Sequence, residues 1–208
     1  MKSDNVVFAV AGVIFGLIAG WIIGAQQVSS RAPVPAAQAS GAAPASTGGS
    51  GRAAVLDEAQ VQALKTVADR EPSNPGPRSQ LANLYFDVER YDDAIKWYEQ
   101  ALKLAPNDPN VSTDLGVCYY YTNQPDKALQ QFEHSLQLNP KHTKTLLNVG
   151  IVKAFGKQDL DGAAQAWQQV IQTAPDSPEG QAARRALDSL RSAHPGMGGP
   201  QGTDKPGT

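Results

Sequence analysis

One cysteine, Cys118, stands among 208 residues, so no intrachain disulfide can brace the fold. It lies beside Tyr119 with no histidine nearby in sequence, the setting of a packed thiol and not of a nucleophile. His134, His142 and His194 have no ligand spacing with one another, and no metal site is expected. A net charge of −2, with no basic run longer than Arg184-Arg185, gives a nucleic acid nothing to hold; no nucleic-acid partner is expected. There is no P-loop, nucleotide fingerprint, Gly-x-Ser-x-Gly or His-Glu-x-x-His, so neither a cofactor nor an enzyme activity is expected. Asp92-Asp93 and Asp159-Leu160-Asp161 fall at helix starts, where carboxylates stabilise the positive end of the helix dipole. Asn110-Val111-Ser112 matches the glycan acceptor pattern, but it sits in a turn between repeats and the pattern is frequent by chance.

What the chain does have is a pattern that recurs three times between Pro75 and Ser177. The middle copy reads Ser112-x2-Leu115-Gly116-x2-Tyr119, Ala128-x3-Phe132, Pro140. The copy before it reads Arg78-x2-Leu81-Ala82-x2-Tyr85, Ala94-x3-Tyr98, Pro106, and the copy after it Leu146-x2-Val149-Gly150-x2-Lys153, Ala163-x3-Trp167, Pro175. Pro106, Pro140 and Pro175 lie 34 and then 35 residues apart, and Pro72 lies 34 before Pro106. A fixed period of this length belongs to stacked-repeat architectures. Each copy holds two amphipathic segments long enough for a helix, joined by a short polar linker that folds the second back antiparallel to the first. Ala82, Gly116 and Gly150 on the first helix and Ala94, Ala128 and Ala163 on the second let backbones approach; Tyr98, Phe132 and Trp167 fill the space between. The third copy carries one extra residue near Gly156–Gly162, and Lys153 stands where a tyrosine is expected; its hairpin should be recognisable but tilted.

These positions resemble the tetratricopeptide repeat, over about half the chain. The resemblance implies an all-α, right-handed α-solenoid of stacked antiparallel helix hairpins: three repeat units plus capping helices, with ligands held against the first helix of each repeat. It implies binding, not catalysis. Repeats are expected at 75–108, 109–142 and 143–177. A cap helix over 56–70, with Val61, Leu64 and Val67 on one face, precedes them, and a cap helix over 178–192 follows. Ser177 and Pro178 supply the start signal of the last helix.

Residues 6–25 run without a charge, long enough for one N-terminal transmembrane helix behind a stub at 1–5. The slight charge bias points to the N-terminus inside and the array on the extracytoplasmic side, with a cytoplasmic array still open. Gly12, Gly16, Gly20 and Gly24 form a small-residue stripe suited to homodimerisation or docking on another membrane helix. Residues 26–54, rich in Ala, Pro, Ser and Gly, read as a disordered tether, and 193–208 as a disordered tail.

Carried over position by position, the resemblance puts Asn83, Phe86, Asp87, Thr113, Val117, Tyr120, Tyr121, Lys144, Asn148, Ile151 and Phe155 on the partner-facing side, with Ser79, Asn110, Asp114 and Leu147 beside them. Aromatics there would anchor a polypeptide, and Asn83, Asn148 and Lys144 would fix its backbone or one carboxylate. The family variant that clamps acidic C-terminal peptides uses several Lys, Arg and Asn at positions that here hold Ser79, Asn83, Asp114, Lys144 and Asn148. Asp114 would repel a carboxylate. The expected function is a membrane-anchored module that binds a peptide or helix of a partner protein in the cell envelope, as scaffold or chaperone-like factor. An apoprotein-holding factor of the cytochrome c maturation type, or a self-associating assembly subunit, are the alternatives.

Overall fold

The computed structural model describes residues 55–194. The transmembrane helix expected at 6–25, its glycine stripe, the tether expected at 26–54 and residues 195–208 of the tail expected at 193–208 lie outside the described residues; Ala193 belongs to the last helix. Among the described residues there are eight α-helices and no strand. They are α1 (Glu58–Arg70), α2 (Gly76–Asp87), α3 (Tyr91–Leu104), α4 (Pro109–Tyr121), α5 (Pro125–Leu138), α6 (Thr143–Ile151), α7 (Leu160–Thr173) and α8 (Pro178–Ala193), with a π-helical turn, Val152–Gly156, extending α6. None of them is long and apolar enough to cross a membrane.

Five of the eight starts have a local cause in a capping side chain or an opening proline. Asp57, Asp108, Asp159 and Ser177 accept hydrogen bonds from the first free N–H groups of α1, α4, α7 and α8, for instance Gly180 N to Ser177 Oγ at 3.0 Å. Pro109, Pro125 and Pro178 open their helices in the one position where a missing N–H is harmless. Each helix packs on the next in sequence, so α2–α3, α4–α5 and α6–α7 form hairpins that stack, with α1 on α2 and α8 against α7 and α6. On α1 the buried residues are Val61 and Ala68; Val67 is exposed, a correction of one position in the expected face, since seven residues make nearly two full turns and six do not.

Between the helices of each hairpin one residue takes a left-handed conformation, and it is never glycine: Glu89, Asn123 and Gln158 have φ of 60°, 59° and 57°. In the first two hairpins the turn is closed by paired bonds, Arg90 N to Tyr85 O at 2.8 Å with Glu89 N to Phe86 O at 2.9 Å, and Gln124 N to Tyr119 O at 2.8 Å with Asn123 N to Tyr120 O at 3.0 Å. The third hairpin must absorb its extra residue. It does so as the π-turn, in which Lys157 N reaches Val152 O at 3.0 Å and Asp159 N reaches Lys153 O at 2.8 Å. The insertion therefore sits at the end of the first helix, earlier than the linker in which the sequence suggested it. Lys153, in the tyrosine position, points its Nζ to Asp159 Oδ2 at 3.4 Å and so ties the lengthened turn.

A left-handed conformation costs a side-chain-bearing residue about 1–2 kcal/mol, partly offset by the extra chain entropy a glycine loses on folding. Gln158→Gly is accordingly expected to raise the unfolding free energy by about 0.5–1 kcal/mol, read as a higher urea midpoint at unchanged slope.

Candidate partner-binding face

Stacking brings the first helices α2, α4 and α6 into line, and the predicted partner-facing residues separate into three groups on them. Asn83, Asp87 and Phe155 are exposed. Tyr120, Tyr121 and Lys144 are half-buried. Phe86, Thr113, Val117, Asn148 and Ile151 are buried, all at 6 % exposure or less. Of the neighbours, Asn110 is exposed, Ser79 and Asp114 are half-buried and Leu147 is buried.

The buried group departs from the expectation that all eleven residues face a partner, for reasons visible in the contacts. Thr113 Oγ1 donates to Pro109 O at 2.7 Å and lies 2.6 Å from Thr145 Oγ1 and 3.0 Å from Ser135 Oγ, a hydroxyl cluster between α4, α5 and α6. Asn148 Nδ2 turns back to its own helix, donating to Lys144 O at 2.9 Å. Phe86 makes a T-shaped contact with Tyr91, ring centroids 5.6 Å apart. Val117 and Ile151 belong to the buried apolar packing. These side chains shape the face from beneath.

Its charges are largely spent internally. Lys144 Nζ donates to Asp114 Oδ1 at 2.6 Å, with the two side chains only 22 % and 17 % exposed. Tyr98 Oη donates to Asn83 Oδ1 at 2.6 Å, so the amide is oriented by a residue of the second helix. Asp87 has no such partner; partial burial, and then the charge of Asp114, raise its carboxyl above the ordinary 3.8.

Sequence reasoning missed Tyr91. It is the first residue of α3, and its ring stacks on Tyr121 at 4.5 Å between centroids and 7° between planes. Tyr121 is tilted in turn against Tyr120 at 5.9 Å. Burial pushes the Tyr121 hydroxyl up to about 12 and raises that of Tyr91 as well. The signal lay in register: the last turn of one repeat's first helix adjoins the first turn of the previous repeat's second helix, so an aromatic at each place must meet. Beside the stack an open depression of about 450 Å³ is lined by Glu89, Arg90, Tyr91, Asp92, Tyr121 and Gln124 among others.

The Cys118 thiol and the hydroxyls of the Ser112–His134 and Thr145–His142 pairs are buried in the helix packing. Cys118 is fully buried and its thiol is raised by desolvation, away from reactivity. Among the described residues no three His, Cys, Asp or Glu side chains gather as metal ligands. His134 Nδ1 lies 3.0 Å from Ser112 Oγ, which leaves the hydroxyl of the glycan-acceptor pattern buried inside the hairpin.

Residues 77–141 and 145–177 each match a sequence profile of the tetratricopeptide repeat, and these segments are such repeats. No curated protein matches the chain. Among solved structures, MamA is similar at 16 % identity and a TM-score of 0.53, over 64 % of this chain and 85 % of that one. The first repeat domain of Spaghetti (RPAP3), bound to the HSP90 peptide SRMEEVD, is similar at 22 % identity and 0.51, over 66 % and 95 %. The Yersinia enterocolitica type III secretion translocator chaperone SycD is similar at 19 % identity and 0.52, over 57 % and 89 %. At these identities the likeness is one of fold.

Proposed function

From an array of tetratricopeptide repeats with a partly polar, partly aromatic face along α2, α4 and α6, we propose a protein-interaction module that holds a segment of another polypeptide, tethered to a membrane by residues 6–25. Support for the binding half comes from the exposure of Asn83, Asp87 and Phe155, with half-buried Lys144 and the Tyr91–Tyr121 stack. Rigid aromatics bury much area at little entropic cost, which is what an anchor for a peptide needs. The fold supports the same reading, since the Spaghetti domain binds a peptide in its solved complex. That peptide is acidic; here Lys144 is already engaged by Asp114, which favours a different class of segment.

The membrane half is supported by sequence: a charge-free run of the length a bilayer core requires, followed by a stretch rich in Ala, Pro, Ser and Gly, the composition of a tether. The array lies on the extracytoplasmic side in this proposal, in the cell envelope. The stripe Gly12, Gly16, Gly20, Gly24 suits a homodimer within the bilayer.

Photo-crosslinking from position 121 in cells tests the binding half. A captured partner polypeptide is expected; a crosslink only to the chain's own copies would favour the assembly-subunit reading instead. For the anchor, the chain is expected to stay with membranes through alkaline carbonate extraction, and a chain lacking residues 6–25 to leave them. A reporter fused after Ser192 that is active only outside the cytoplasm should be active.

A further inference from the structure

We propose that α1 pairs with the α1 of a second copy of this chain, antiparallel about a twofold axis, each filling the place of a first helix that the other lacks. This pairing is independent of whatever α2, α4 and α6 hold. By the repeat period α1 is a second helix, 34 residues before α3. In the three complete hairpins the second helix buries a large side chain against its first helix. Tyr98 donates to Asn83 on α2, Phe132 lies 2.5 Å from a Cβ built on Gly116, and Trp167 donates to Leu147 O. Those three residues, with the ones four before and three after each, are all at 2 % exposure or less. The same places on α1 hold Gln60, Leu64 and Val67. Here Gln60 is exposed, Leu64 is half-buried and Val67 is 36 % exposed.

The stretch of this chain one period before α2, residues 42–53, has nothing to fill that place. It carries Pro44, Gly48, Gly49 and Gly51 and no leucine, isoleucine, valine or aromatic. Nor does α1 make a finished end. A solenoid closes with a polar outer face, as α8 does with exposed Gln181, Arg184 and Asp188. A second α1 fits because the stripe is complementary to itself. With the twofold axis between residues 63 and 64, Ala63 of each copy faces Leu64 of the other. That is the small-against-large pairing that Gly116–Phe132 and Gly150–Trp167 make within hairpins. Gln60 then faces Val67, and Asp57, the cap of α1, faces Arg70 in its last turn. Arg70 has no ion pair among the described residues. A twofold axis perpendicular to the helix makes the pair antiparallel, as the helices of every hairpin are. One helix face buries less than the roughly 1,200 Å² of a standard interface, so the pair is weak and concentration-dependent.

The test uses the 208-residue chain in detergent micelles with a short bismaleimide crosslinker. Cys118, the one native thiol, is fully buried, so the unsubstituted chain serves as the blank. Ala63→Cys is expected to give about tenfold more crosslinked dimer than Gln62→Cys, which is exposed on another side of the same helix. Equal yields at the two positions, as contact elsewhere in the chain would give, overturn the pairing. Val67→Glu added to Ala63→Cys should abolish the excess, and an excess that survives it overturns the assignment to this face. Two Ala63→Cys chains, one with Asp57→Arg and one with Arg70→Asp, should crosslink to each other in preference to their own kind. Absence of that preference overturns the antiparallel register. Capture of a different protein from position 63 in cells, in place of a second copy, overturns the choice of occupant. Circular dichroism of the variants separates lost pairing from lost fold.

Discussion

Trp167→Ala is expected to lower the unfolding free energy by about 3–5 kcal/mol, a large share of the roughly 5–15 kcal/mol that holds an ordinary domain together. Trp167 is 2 % exposed, and its indole N–H donates to Leu147 O at 3.2 Å, so one residue both fills the third hairpin and ties its two helices. The indole lies against Gly150: a Cβ built there would collide with Nε1, Cδ1 and Cε2 of the ring. The middle hairpin repeats the arrangement, with a Cβ on Gly116 falling 2.5 Å from Phe132 Cε1. Gly150→Ala therefore sets two effects against each other. Helix propensity alone would make it stabilising by about 1 kcal/mol. Overpacking costs about 1–3 kcal/mol, because the obstacle is a rigid ring system held by the hydrogen bond of the same Nε1 that the new Cβ would meet. The second is expected to win, so the substitution destabilises. Combining Gly150→Ala with Trp167→Leu should be less costly than the sum of the two single changes, since the smaller side chain removes the clash. Urea unfolding of the four proteins checks both the sign and the non-additivity.

That pairing was legible in the sequence because it depends on residue size at fixed spacing. Small residues at 82, 116 and 150 and large ones at 98, 132 and 167 could be read without coordinates, and the period of 34 placed the turns. Two things were not legible. The first is how one inserted residue is absorbed: a longer linker and a π-turn are equally consistent with the sequence, and the choice depends on keeping Ala154 and Val152 buried while Lys153 reaches Asp159. The second is the inner layer of the face. Position in the repeat says that Thr113 and Asn148 look toward the first helices of their neighbours. It does not say that Thr145 and Ser135 would claim the threonine, or that the asparagine would turn to its own backbone. Tyr91 escaped for the converse reason, since its role arises only when two successive repeats are placed side by side.

Thr145→Val is the sharper test of that inner layer, with an expected loss of about 1–2 kcal/mol despite a nearly unchanged volume. Thr113 and Ser135 both donate to Pro109 O, at 2.7 and 2.9 Å. Thr145 Oγ1 also lies against His142 Nδ1, and His142 Nε2 lies 3.0 Å from Asn110 Oδ1. Burial, followed by the charge of Lys144, lowers the His142 pKa below its ordinary 6.5, against opposing contributions from Asp114, Glu179 and Asp108. The sign follows. Below the ordinary value the unfolded chain binds a proton more readily than the folded one, so this histidine's contribution is complete above about 6.5 and drains away as the pH falls. Asp87, raised, acts in the opposite sense, its contribution being lost as the pH rises through its folded value; Asp93 and Asp159, lowered, contribute above 3.8 and lose that at more acid pH. The urea midpoint should accordingly fall from pH 7 to pH 5, and His142→Asn should flatten that slope. An unchanged slope in the variant would assign the acid sensitivity elsewhere. Were the hydroxyls merely tolerated, valine at 145 would cost nothing; because Thr113, Ser135 and Thr145 are all fully buried, the polar contacts between the second hairpin and α6 must be complete or the stack weakens there first.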